Sequence, residues 1–267
     1  MCLARAGARY AGFAGTRMTE SSQDSERSNL ARAIELARSN AAAAQHEQLT
    51  RFIWAYYAGV SQAELEASDP EDLYGAALSH WNLASVRAAG NAKVRVYSPI
   101  YDRHGWRSVH SVVDIVCDNT PFVVDSLKMA LNAIDQSIHV VIHPTFSITR
   151  DPEGKLTSVD PLAETDADTQ ANDNAVARAE LFIHIEIDRL TEDNQPASIH
   201  AAINNVIDAI DTAVKDWQPM RDRLLTAADD AAGGGAGNTE ASEARALLRW
   251  LHEGNFTLLG YCINGSR

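Results

Sequence analysis

The 267 residues carry 23 Lys and Arg against 36 Asp and Glu, a formal net charge of -13 with a pI near 5.0. That balance excludes a nucleic-acid or anionic-membrane surface, because neutralising phosphates requires a clustered basic face that this sequence lacks. Three scattered cysteines, Cys2, Cys117 and Cys262, exclude a disulfide framework or metal knuckle and suit a reducing cytosol, and no apolar run approaches the ~20 residues of a membrane span.

Residues 1–27 carry Arg5, Arg9 and Arg17 in a Gly/Ala-rich setting without the apolar middle of a secretory signal. They are expected to be a disordered lead-in, with Met18 as the true start. A helical segment follows over 28–90. Leu30, Ile34, Ala37, Ala41, Leu49, Phe52 and Tyr56 recur at steps of three and four, which predicts one helix ended by Gly59. Ser61 with Glu64 is a capping-box pattern. Asp69 followed by Pro70, Glu71 and Asp72 starts a helix whose face is Leu73, Ala77, Trp81 and Ala84. These helices read as a packing layer or docking arm.

An α+β domain is expected over 91–219. Val94–Ile100 and Trp106–Val116 are β-rich runs joined by a hairpin through Asp102 to Gly105. The second run enters the loop Asp118-Asn119-Thr120-Pro121, after which apolar residues fall three and four apart, a change of period that marks a strand-to-helix turn. The strand after that helix is predicted over Ile138–Thr149, with Ile138, Val140, Ile142, Phe146 and Ile148 on one face. Val159–Ala179 is acidic and reads as a mobile loop. Leu181, Ile183, Ile185 and Ile187 alternate in a third strand, and Ile199 to Val214 form a helical stripe ending by Trp217 and Pro219. Residues 220–239 read as a helix and a Gly-rich linker, and 240–267 as the start of a second domain, with a helix near Glu243–His252 and a strand near Phe256–Ile263. The turn signal at Asn264-Gly265 suggests that this second domain is cut off.

Three features bear on chemistry. The run Gly233 to Gly237 lacks the preceding strand and fixed glycine offsets of a dinucleotide-binding turn. His139, His143 and His184 lie on strand faces opposite the predicted core, but His139 and His143 stand ~13 Å apart at a strand's rise and cannot share a metal. A face turned to solvent or a partner is the expected reading, and no metal ligand is assigned. His110 and Asp114 share a strand face with no nucleophile beside them. The loop Asp118, Asn119, Thr120, Pro121, Phe122 and Val123 sets acid and amide side chains beside the free amides of a helix start, suited either to capping or to holding a small polar ligand.

The β, α, β, β, α order with the pattern D-x-x-P-x-V-V-D-x-L resembles an ACT domain, an amino-acid-sensing module with helices on one face of an antiparallel sheet; Phe122 stands where that pattern usually has glycine. The stretches SPIYDRHGWRSVHSVVDIVCDNTPFVVDSLKMALNAIDQSIHVVIHP, ELFIHIEID and WLHEGNFTLLGY are similar to the N-terminal region of the large NAD-dependent glutamate dehydrogenases. The resemblance implies ACT-like regulatory domains ahead of a distant catalytic region that oxidises glutamate to 2-oxoglutarate and ammonia with NAD. It supplies no catalytic or NAD-binding residue within this chain.

Two readings follow: a regulatory and assembly segment of such an enzyme, cytoplasmic, inactive alone and homo-oligomeric or docked to the catalytic part, or a stand-alone ACT-like module that senses an amino acid. Phe182, Val112 and Val141, on the side away from the predicted helices, are expected to support self-association. An ACT-like sheet also wants a fourth strand, and Val94–Ile100 is expected to supply it at one edge, with Ile138–Thr149 at the other and both helices across one face.

Overall fold

The computed structural model describes residues 28–42, 45–162, 177–191, 195–232, 239–256 and 258. Helices α1 (Asn29–Asn40), α2 (His46–Tyr56), α3 (Gln62–Ala67) and α4 (Pro70–Ala84) come first. The single helix expected from Asn29 is thus two: α1 stops at Asn40, and His46 Nε2 bonds the Ala41 carbonyl in the break. The predicted starts of α3 and α4 are present, the first as a full Ser61–Glu64 capping box and the second with the Asp69 side chain accepting from the Glu71 amide.

The sheet contains β1 (Lys93–Tyr97), β2 (Ser111–Asp118), β3 (Ile138–Ile142), β4 (Thr145–Arg150), β5 (Leu156–Pro161) and β6 (Ala177–Ile187). All pairings are antiparallel, in the order β1-β2-β6-β4-β5, with β3 also paired to β6. The early strand therefore takes the edge predicted for it, β1 running against β2 from Lys93↔Val116 to Tyr97↔Val112. The connection is not a bare hairpin loop: Tyr101–His104 forms a helical turn, α5, closed by Gly105 in the left-handed region (φ 72).

The far side departs further. The predicted strand Ile138–Thr149 is broken at His143-Pro144 into β3 and β4, because Pro144 has no amide to give to a ladder. A register shift between Ile138 and Val140 also reverses the facing of the strand. Ile138 and Val141 join one core, whereas Val140, Ile142, Phe146 and Ile148 join the other. The outer edge belongs to β5, whose second half, from Val159 to Pro161, falls in the stretch read as a loop, as do the first residues of β6, Ala177 to Ala179; residues 163–176 lie outside the described set.

Helices α6 (Val123–Ala133) and α7 (Gln195–Ala232) cover one face of the sheet, where Val113, Ile115, Leu181, Ile183, Ile185 and Ile187 meet Leu127, Leu131, Ile199 and Ile203. The other face is covered too, by α1–α4, with Phe52, Tyr56, Leu49 and Ala77 packed on Val116, Phe146, Ile148 and Phe182. The α+β, ACT-like class holds, but helices lie on both faces rather than one. The basis for self-association through Phe182, Val112 and Val141 is removed: Phe182 and Val112 are fully buried, and Val141 packs in the α6–α7 core.

Close approach explains one glycine. A Cβ on Gly75 of α4 would sit 2.3 Å from Trp106 Cβ, so only glycine lets the helix lie against the buried indole. Pro219 does not end α7, which runs on to Ala232 through an exposed stretch where one lost backbone bond is tolerable. Helix α8 (Thr239–Trp250) then folds back on it, and the Arg221 guanidinium donates to the His252 carbonyl at 2.8 Å. The Gly233–Gly237 linker and nearly all of the expected strand Phe256–Ile263 lie outside the described residues, as does the lead-in 1–27.

Candidate functional site

The loop between β2 and α6 holds the residues singled out from the sequence. Asp118 ends β2 half-buried, and its carboxylate is gripped by Arg87, which reaches from the chain beyond α4. Arg87 also contacts Glu180 at 2.9 Å, and Glu180 takes both Nε and Nη2 of Arg150 at 2.7 Å. A bidentate fork of this kind orients both partners. The remaining guanidinium nitrogen of Arg150, Nη1, donates to the carbonyls of Ala84 and Gly154, so one charged cluster ties the end of α4, the β4–β5 turn and the loop together. Gly154 is obligatory there: its φ is 81, and a Cβ would fall 2.5 Å from the Arg87 carbonyl.

The capping expectation fails. Phe122 occupies the N-cap of α6 with φ 67 and no side-chain cap bond, and its ring is 64 % exposed. It thus adopts the left-handed conformation that the glycine of the ACT pattern would provide. Asn119 is held through its backbone amide to the Ala179 carbonyl at 3.1 Å, and the Thr120 hydroxyl donates back to the Asp118 carbonyl at 3.3 Å.

Beside the loop lies a pocket of about 10 Å³, lined by Gly90, Ala92, Cys117, Asp118, Thr120 and Val123 together with Ile207 and Asp211 of α7. The structure therefore brings Asp118, Thr120 and Val123 to one cavity, while Asn119, Pro121 and Phe122 are not among its walls. That space holds roughly one water. Burial pushes the Cys117 thiol up to about 12, so it lines the wall as a protonated, unreactive group. Asp211 was legible in principle, since it lies four residues after Ile207 on the apolar stripe of α7; nothing in the sequence pointed to Arg87.

The histidines part company. His143 is exposed, and His139 is stacked on His110 at 4.0 Å with its Nε2 2.8 Å from Asp188. His184, expected on an open face, is buried under α2 and α4, with Nδ1 2.7 Å from Asp114 Oδ1. Burial opposes its charge, but Asp114 and Glu186 outweigh that and push the imidazole up to about 9. Asp114, although buried, is held well below the usual carboxylate range by His80, His184 and Arg95. Burial pushes His80 down to about 4, and its Nδ1 meets the Tyr56 hydroxyl at 3.0 Å. His80 lies three residues after Ala77 and seven after Leu73, so the helical stripe itself placed it inward.

Residues 52–203 match the family model described as "Glutamate dehydrogenase, ACT1 domain". Over 217 residues, 80 % of the chain, it is 31 % identical to an NAD-specific glutamate dehydrogenase of Halomonas elongata and 32 % identical to that of Pseudomonas aeruginosa. It is also 25 % identical over 186 residues, 68 % of the chain, to the NAD-specific glutamate dehydrogenase of Mycobacterium tuberculosis. The matched part spans 13 % of the first two relatives and 11 % of the third. The antiparallel sheet, the loop leading into α6 and the match across both agree, and the chain belongs to the glutamate dehydrogenase ACT1-domain family.

Proposed function

We propose that this chain is the N-terminal regulatory and assembly segment of an NAD-dependent glutamate dehydrogenase, cytoplasmic and without catalysis of its own. The ACT1 match laid on the loop cluster of Arg87, Asp118, Glu180 and Arg150 carries the reading: a change at the Asp118–Val123 loop is felt directly at the end of α4 and at the β4–β5 turn. An amino-acid effector is assigned to Asp118, Asn119, Thr120, Pro121, Phe122 and Val123. The ~10 Å³ pocket has no room for one as it stands, so binding requires the loop to move off α7.

Assembly has its own support. Leu247 and Trp250 of α8 and Phe256 after it are each at least half exposed, and α8 buries none of its residues. Apolar surface of that kind marks a docking face. Its occupant is the remainder of the parent polypeptide, in keeping with relatives several times longer than the matched segment. No helix among the described residues is long and apolar enough to cross a membrane.

The test is a purified chain assayed for NADH formation with glutamate and NAD, alone and mixed with the remainder of its parent enzyme. The chain alone should be silent, and mixing should give a complex and change the rate of the remainder. Turnover by the chain alone, or a remainder indifferent to it, overturns the reading. Heating curves with each amino acid, with Asp118→Asn as the control, test the effector assignment separately.

A further inference from the structure

The closing of α1–α4 on the sheet brings three metal-ligating side chains from three elements to one point. His80 of α4, Asp114 of β2 and His184 of β6 are all buried, and one donor atom of each lies within 4.8 Å of the others. Both imidazoles present the same nitrogen to the same oxygen. His184 Nδ1 is 2.7 Å and His80 Nδ1 3.7 Å from Asp114 Oδ1.

The outer sides of His80 and Asp114 are hydrogen-bonded, and that of His184 faces a carboxylate. His80 Nε2 lies 3.1 Å from the Ile115 carbonyl, a proton acceptor, which leaves Nδ1 as the lone-pair nitrogen. His184 Nε2 faces Glu186 Oε1 at 3.7 Å. Asp114 Oδ2 accepts from Arg95 at 2.7 Å and from Tyr97 at 3.1 Å, which reserves Oδ1 for the two rings. Metal-bound histidines are oriented by such acceptors on their outer nitrogen, and ligating carboxylates by donors on their outer oxygen.

We propose that His80, Asp114 and His184 form a buried site for a first-row divalent transition metal, zinc in the first instance, which ties the N-terminal helical layer to the sheet. Two imidazoles and one carboxylate without a thiolate suit zinc and its neighbours rather than calcium or magnesium. Tetrahedral bonds of ~2.0–2.1 Å place donors ~3.3 Å apart, between the two separations from Asp114 Oδ1, and the two histidines, whose donor atoms lie within 4.8 Å, close on the ion as it binds. On binding, the ion takes the place of the proton between His184 Nδ1 and Asp114 Oδ1, and that proton leaves to solvent. The Tyr56 hydroxyl, 3.0 Å from His80 Nδ1, is the protein oxygen assigned to the fourth position. His80 comes from one layer and the other two ligands from the sheet, so the ion loads as the layers close.

The experiment is to unfold the full chain, without a histidine tag, in guanidinium with chelator and refold it with zinc, with cobalt, or with chelator alone. After desalting, zinc-refolded protein should retain about one ion per chain and melt several degrees above the chelator sample. The cobalt sample should show the visible bands of a tetrahedral nitrogen and oxygen site. His80→Gln and His184→Gln should lose retained metal at least ~tenfold, whereas His139→Gln, an exposed histidine outside the cluster, should keep it. If the two buried variants do not refold, the wild-type stoichiometry and cobalt spectrum decide. Wild-type protein that retains less than ~0.1 ion per chain and melts alike in zinc and chelator overturns the proposal, as does undiminished metal in both variants.

Discussion

The two faces of one sheet are built from different chemistry. Against α6 and α7 the strands present an aliphatic surface, Val113, Ile115, Leu181, Ile183, Ile185 and Ile187, with hardly a polar atom. Against α1–α4 the same two central strands present Val112, Asp114, Val116, Glu180, Phe182 and His184, and every one of these is buried as well. The first face is held by area, the second by aromatic contacts and paired charges. Phe52 stacks on Phe146 at 5.0 Å and lies 5.6 Å from Phe182, beside the Asp114 and Glu180 clusters. Alternation identifies which residues share a face, whereas only the rest of the chain decides whether that face meets water.

The charged face is the more sensitive of the two to a single substitution. Glu180→Ala leaves Arg87 and Arg150 in the interior without their shared carboxylate, and a loss of about 3–5 kcal/mol in denaturant titration is expected. A loss under ~1 kcal/mol would show that solvent reaches the cluster. Adjacent residues of β6 then weigh the two faces directly. Phe182→Ala should cost about 3–5 kcal/mol and Ile183→Ala about 2–5 kcal/mol. A near-neutral Phe182→Ala would mean that α1–α4 do not cover the sheet in solution.

The seam between layers is sharpened by Gly75→Ala, whose methyl collides with Trp106 and should cost about 1–3 kcal/mol, read as a lowered melting temperature. The smallest expected effect has the opposite sign. Phe122→Gly relieves a left-handed conformation at an exposed residue, and a gain of ~0.5 kcal/mol is expected after the added chain entropy of glycine is subtracted.

Many of the elements on both faces were legible because their signals are local. The period change after Asp118, the alternation of Leu181 to Ile187 and the caps at Ser61 and Asp69 each depend on residues within a few positions of one another. The edge position of β1 could be reached because an ACT-like sheet lacked one strand and the adjacent run could fill it. The candidate loop was half legible. Asp118, Thr120 and Val123 line its pocket, but the opposite wall comes from α7 and the charge that fixes Asp118 comes from Arg87, 31 residues earlier.

By itself, then, the sequence determined the order of most elements, the inward faces of α4, β6 and α7, and the family resemblance, all of which are written in spacing and short motifs. Only the tertiary structure decided that the face bearing His184 is interior, that β3 changes facing at its register shift, and that β5 forms the far edge. Those outcomes turn on pairings between residues tens of positions apart, Asp114 with His184 and His80, Arg150 with Glu180 and Ile142 with His184. A polar residue on a strand reads the same whether water or a buried partner satisfies it, and the partner exists only once the layers have closed.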